Sequence, residues 1–546
     1  MKQVFTVRGK IVDLIGRRLF PGRVEIAEGR IVAVIEDPTV TESCYLMPGF
    51  VDAHVHVESS MLVPSEFARL AVVHGTVATI SDPHEIGNVL GIEGVRYMLE
   101  NAKKVPFHFC FGVPSCVPAT AFETAGAEIT AQDIRRLFTE EGLHYLSEMM
   151  NFPGVLQRDP KVMEKIEIAK ELGKRVDGHA PGLCGEQAKQ YIDAGIETDH
   201  ECFMLQEALD KVKHGMKILI REGSAAKNFE ALHTLLESHP DNVMFCSDDK
   251  HPHELVEGHI NQLVKRAVVD KGYDLFNVLR AACLHPVEHY KLDVGLLRVG
   301  DSADFIVVDD LKTWRVSDTY VKGEHVAGKG ETFIPSVPVK EINHFCPWET
   351  TASDFRMKAK GSTLRVIEAL DGELITKESS ANTHIVEGLV EPLPEKDLLK
   401  LVVVNRYRKA PPAIAFIKGF GLKKGALASC VAHDSHNIVA VGVSDEAISN
   451  AVNALMDARG GISVETGGAV HVLPLPVAGL MSGEDGYQVA QKYAAIDLEA
   501  KKLGSPLHAP FMTLSFMALL VIPNLKLSDK GLFDAKAFQF TSSFRV

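Results

Sequence analysis

Between residues 51 and 285, short apolar runs alternate with helix-compatible stretches, and eight such alternations can be placed along the chain. Parallel strands need long, usually helical crossovers, so this alternation restricts the region to parallel βα units. Eight such units close on themselves as a (β/α)8 barrel of the TIM type. The strand ends are expected near His54, Asp82, Val113, Glu148, His179, His200, Arg221 and Asp248, with a helix from Met163 to Leu172 between the fourth and fifth strands. Active-site groups of such barrels stand at the C-terminal ends of the strands, so chemistry is expected at these eight positions.

At 546 residues the chain exceeds what one hydrophobic core can organise. The first fifty residues alternate apolar and polar side chains with glycine punctuation, as in Val24-Glu25-Ile26-Ala27-Glu28-Gly29-Arg30-Ile31-Val32. A second run of this kind contains Ala303-Asp304-Phe305-Ile306-Val307-Val308. Residues 1–50 and 286–335 are therefore predicted to build one small β-sandwich beside the 51–285 barrel. Pro335, Pro338 and Pro347 mark a boundary, after which 345–546 is expected to form an α+β C-terminal domain. Within it Ser444 is placed to cap a helix whose Ile448, Val452, Leu455 and Met456 form an apolar stripe before Gly460-Gly461. The overall class is α/β.

Lysine and arginine number 58 against 72 acidic residues, a net charge of −14 that would repel a polyanion and sets nucleic acid aside as a partner. Nine cysteines without paired metal-type spacing point to reduced thiols and a cytoplasmic setting. The opening MKQVFTVRGKIVDLIG lacks the pattern of a secretory leader, so export is not expected. The most membrane-like stretch, Phe511 to Ile522, is too short to span, holds Thr513 and Ser515, and reads as buried core. No membrane association is expected.

Pro48-Gly49-Phe50-Val51-Asp52-Ala53-His54-Val55-His56 is an apolar strand ending in two histidines two residues apart, which places both imidazoles on one face. An isolated pair of this kind is common. Its weight comes from His179, His200 and Asp248, which fall in order at later strand ends. Neutral imidazoles mixed with carboxylates suit manganese, iron or zinc better than calcium or magnesium.

This order, His-x-His, His, His, Asp on strands one, five, six and eight, resembles the amidohydrolase superfamily over residues 1 to 335. Many two-metal members carry a carboxylated lysine on strand four; here Glu148, in Ser147-Glu148-Met149-Met150-Asn151, takes that position. Within the superfamily that segment, Ser81-Asp82-Pro83-His84-Glu85-Ile86-Gly87-Asn88 and Asp177-Gly178-His179-Ala180-Pro181-Gly182 resemble the adenine deaminase family of bacteria and archaea. Val431-Ala432-His433-Asp434-Ser435-His436-Asn437 and Arg459-Gly460-Gly461 extend the resemblance to the C-terminal domain. The resemblance implies hydrolysis of a purine base with release of ammonia in purine salvage, two divalent ions (manganese or iron, with zinc as an option) and a homo-oligomer.

The ligand set expected from this resemblance is His54, His56, Glu148 and Asp248 for a first ion, and Glu148, His179 and His200 for a second. Glu148 bridges the two. Asp248 is expected to use a second, free carboxylate oxygen as general acid and base, and His84 is expected to take part in catalysis. Glu85, Ser115, Arg221 and Asp249 are the candidate contacts to the purine. Asp199 and Glu201 are read as orienting the ligand between them or as surface groups, in preference to substrate contacts. His433, Asp434 and His436 are read as turn or domain-interface packing, with the alternative that their loop leans over the barrel mouth. Two rival functions stay open: a deacetylase or cyclic-amide hydrolase on the same fold, and a scaffold that has lost its chemistry.

Overall fold

The computed structural model describes residues 4–545. Its central feature is a ring of eight parallel strands: Phe50–Val55, Thr76–Ser81, His108–Phe111, Tyr145–Met149, Arg175–Gly178, Thr198–Asp199, Lys217–Arg221 and Val243–Cys246. Each expected strand end lies within two residues of the observed one. Ladder pairing joins strands one to three, four to five and six to eight. The Val113–Leu146 bridge and the Glu197 N to Val176 O bond of 2.9 Å span the two remaining gaps. The ring closes where Asp248 N donates to His54 O at 2.9 Å and His56 N to Asp248 O at 3.4 Å. The first and last strands are thus stitched together by the backbone of three predicted ligands.

The strands of this ring are short and apolar because both faces are covered, one by the barrel interior and one by helices. Helices such as Pro64–Ala71, Ala131–Glu140 and Pro160–Glu171 alternate with the strands. The last of these contains the expected Met163 helix and begins one turn earlier, because Asp159 Oδ1 accepts from Lys161 N and Val162 N and Pro160 occupies the first helical position.

Both chain segments flanking the barrel contribute to one eight-stranded sheet. Its order runs Glu331–Thr332, Glu324–Gly328, Val316–Val321, Phe305–Val308, Tyr45–Pro48, Val4–Asp13, Arg18–Ala27, Arg30–Glu36. The sheet curls over its own core of Ile11, Val24, Ile26, Leu46, Phe305 and Val307. Gly300 N bonds Ile31 O across the fold at 2.8 Å. The two layers come from a single continuous sheet.

A second eight-stranded sheet lies in the C-terminal part, from Thr363–Ala369 to Val470–Leu473. The helix Asp445–Ala458 covers one face with Ile448, Val452, Leu455 and Met456, as the sequence stripe predicts. Ser444 caps it, accepting from Ala447 N at 3.2 Å. It ends at Gly460 and Gly461, both at positive φ, where a Cβ on Gly460 would lie 2.3 Å from Gly479 Cα. On the opposite face Phe511 to Ile522 is fully buried in two short helical turns, and among the described residues no helix is long and apolar enough to cross a membrane.

Candidate metal centre

At the C-terminal mouth of the barrel, His54, His56, Glu148, His179, His200 and Asp248 are all nearly inaccessible to solvent. His54 and His56 leave the first strand on one face with their Nε2 atoms 3.2 Å apart. Asp248 Oδ1 lies 3.2 Å from His56 Nε2 and 3.5 Å from His54 Nε2. Asp248 has a left-handed backbone (φ 53°), a conformation that aspartate tolerates better than most residues.

Glu148 divides its two oxygens between two histidine pairs. Oε1 is 3.2 Å from His56 Nε2 and 3.9 Å from His54 Nε2; Oε2 is 2.6 Å from His179 Nδ1 and 3.2 Å from His200 Nε2. Burial opposes ionisation of Glu148, but the His179 and His200 imidazoles outweigh it and hold the carboxyl well below its usual range. Burial also opposes ionisation of Asp248, and there Arg221, His54 and His56 prevail in the same direction. Such a set of anionic carboxylates and buried imidazoles, converging from opposite sides of one carboxylate, could hold divalent ions. The buried His179 Nε2 has no hydrogen-bond partner, as expected of a group shaped around something other than its protein neighbours.

The surrounding shell corrects several expectations. Asp248 Oδ2 is not free: it accepts from Arg221 Nη1 at 2.5 Å. Arg221 also bonds both oxygens of Glu201, and its Nε donates to Ala226 O at 2.8 Å, so four of its five N–H groups are taken by the protein and it stands outside the lining of the cavity. Ser115 Oγ donates to the Glu148 carbonyl at 2.5 Å, where it fixes the Glu148 backbone, and Ser115 is not among the residues that line the cavity. Asp199 pairs with the buried Lys211 Nζ at 2.5 Å and accepts from Ala180 N and Glu201 N, which fits an orienting role for the loop that carries His200.

His84, Glu85 and Asp249 do border the cavity in front of the donor set. His84 Nδ1 lies 3.1 Å from Asp82 Oδ2 and 3.6 Å from Glu148 Oε1. Its Nε2 is 3.6 Å from Asp434 Oδ1. Glu85 contacts His433 Nδ1 with one oxygen and His436 Nε2 with the other. Asp249 accepts from Ser59 Oγ at 2.5 Å. Burial disfavours a charged His433, but Glu85 and Asp249 reverse this and raise its pKa to about 9.

Residues 45–326 match the amidohydrolase family and residues 373–539 the adenine deaminase C-terminal domain. An adenine deaminase of Salinibacter ruber is 55% identical over 546 residues, with 100% of both chains covered. The chain belongs to the adenine deaminase family. Further members from Sulfurovum sp. and Methanosarcina barkeri are 55% and 52% identical, each with 99% of both chains covered.

In this adenine deaminase family member the alternative kept open for the 433–436 loop is the one the geometry takes: His433 and Asp434, with Leu374, Phe516 and Leu519, form the roof of the cavity. Glu58 went unnoticed. It is buried beside the first strand, Oε1 accepts from Ile86 N at 3.2 Å, and burial raises its pKa to about 7. The only available signals were the acid in Val57-Glu58-Ser59-Ser60 directly after the His-x-His strand, and the histidine-rich spacing at 433–436.

Proposed function

We propose that this chain hydrolyses adenine to hypoxanthine and ammonia at a centre of two divalent ions. The reading is carried by full-length identity of 55% to an adenine deaminase, together with a Glu148 carboxylate that faces one histidine pair with each oxygen. His54, His56, Glu148 and Asp248 would hold the first ion; Glu148, His179 and His200 would hold the second. Manganese or iron suits this mixture best, with zinc third. When bound, such ions lower the pKa of a coordinated water to near neutrality, which makes a nucleophile available.

The protein's own groups do the rest. Ser115 fixes the Glu148 backbone, and Arg221 ties Asp248 to Glu201, keeping both carboxylates ionised and aimed. That bond leaves Asp248 a poor base at Oδ2. His84 is better placed to move the proton from the attacking water to the departing amine, because it borders the cavity with Nδ1 3.6 Å from Glu148 Oε1 and 3.1 Å from Asp82 Oδ2, a carboxylate that can share its proton. The closed, buried cavity keeps bulk water from the reacting carbon.

Manganese-loaded protein should release ammonia and hypoxanthine from adenine, in an assay run beside adenosine. Preferential turnover of adenosine, release of acetate from an N-acetyl sugar, or ring opening without ammonia would overturn the assignment. His179→Asn should deplete the second ion more than the first in elemental analysis of the purified protein; equal loss of both would refute the partition.

A further inference from the structure

The cavity's roof comes from a different part of the chain than its floor. His433 and Asp434 lie on the loop between strands Ala426–Ser429 and Ile438–Gly442 of the C-terminal sheet. Phe516 and Leu519 follow the helix Pro510–Ser515, and Leu374 precedes strand Thr376–Asn382. These pieces are braced together. The His433 ring stacks on Phe516, with centroids 5.1 Å apart. The buried Lys526 donates to Leu374 O at 2.6 Å and Phe516 O at 2.9 Å. Arg406 N bonds Asn437 Oδ1 at 3.2 Å, behind the loop.

Two roof atoms face the cavity without partners. Glu85 occupies His433 Nδ1, which leaves Nε2, and Asp434 Oδ2 has no hydrogen-bond partner although Asp434 is 2% exposed. An unpaired buried carboxylate oxygen is costly unless a ligand completes it. The His84 ring bridges from Glu148 Oε1 to Asp434 Oδ1 with 3.6 Å contacts at either end. One flat ring system could lie beside it with the reacting carbon at the donor set and its far edge at the roof.

We infer that the C-terminal domain sets the substrate specificity: Asp434 Oδ2 accepts the ring N–H of an unsubstituted purine, His433 Nε2–H meets the adjacent ring nitrogen, and Phe516, Leu519 and Leu374 exclude any N9 substituent. A donor and an acceptor on consecutive residues match the N3 and N9–H edge of the free base. A purine alkylated at N9 has no proton to give there and carries a group into Leu519. This inference rests on the deaminase reading above and adds what decides between base and nucleoside.

The test compares kcat/KM on adenine and 9-methyladenine. Wild-type protein should prefer adenine by about a hundredfold, as expected when one buried acceptor is left unsatisfied. Asp434→Ala should lower adenine turnover about tenfold through KM, with 9-methyladenine unchanged, and Leu519→Ala should narrow the preference about tenfold. Equal losses of Asp434→Ala on both substrates, or an unchanged preference in Leu519→Ala, would overturn the inference. Inhibition of wild-type adenine turnover by 9-methyladenine needs no variant; a Ki near the adenine KM would overturn it as well. Absence of adenine turnover in wild-type protein would instead sink the deaminase reading.

Discussion

At the scale of single residues, Arg221 carries the most consequence for its size. Its buried guanidinium neutralises Glu201 and Asp248 together, and removing it leaves two buried carboxylates uncompensated. Arg221→Met should lower stability by about 3–5 kcal/mol, measured as a fall in the denaturation midpoint of metal-free protein. Arg221→Lys should recover only part of this, because a lysine supplies charge without the planar fork that meets both acids. A neutral result for Arg221→Met would mean that water or local rearrangement compensates both acids.

At the scale of elements, what the sequence made legible follows from periodicity. A period of two put His54 and His56 on one side of a strand, and a period of 3.6 marked the stripe on Asp445–Ala458. The Ser444 cap belongs to the same class of signal; Ser444→Ala should destabilise the C-terminal domain by about 1 kcal/mol, read from its unfolding transition, with the barrel transition unmoved. Contacts between distant elements were not legible. Glu85 meets His433 across 348 residues and His436 across 351, and nothing local to either segment encodes the meeting. Arg221 was equally opaque: a strand-end arginine reads the same whether it faces a ligand or two protein carboxylates. The same holds for Ser115, whose hydroxyl turns back to the Glu148 backbone.

At the scale of the whole molecule, the separate pieces of the roof are tied together by Lys526, which donates to both Leu374 O and Phe516 O. Burial lowers its pKa from 10.5 to about 7. Between those values the unfolded chain holds a proton that the folded chain has released, so stability rises with pH across this window. Below about 7 both states are protonated and the full penalty stands. Wild-type protein should therefore gain about 2 kcal/mol relative to Lys526→Met between pH 7 and pH 9, measured by denaturant unfolding at both pH values. A difference that does not change with pH would show that the amine keeps its proton in the folded protein.

The seam of the barrel carries a different kind of consequence. Asp248 and His54 exchange backbone contacts where the last strand meets the first, so the donor set is assembled in the same event that closes the barrel. His433 and Phe516 lie far later in the chain. A ribosome adding about 5–20 residues per second leaves an interval of roughly 10–50 s between synthesis of the last donor and of the last of this cover. Under the two-ion reading proposed above, divalent ions would reach the open donors during that interval, before the rest of the polypeptide folds down over them. For this chain the order of synthesis is also an order of assembly.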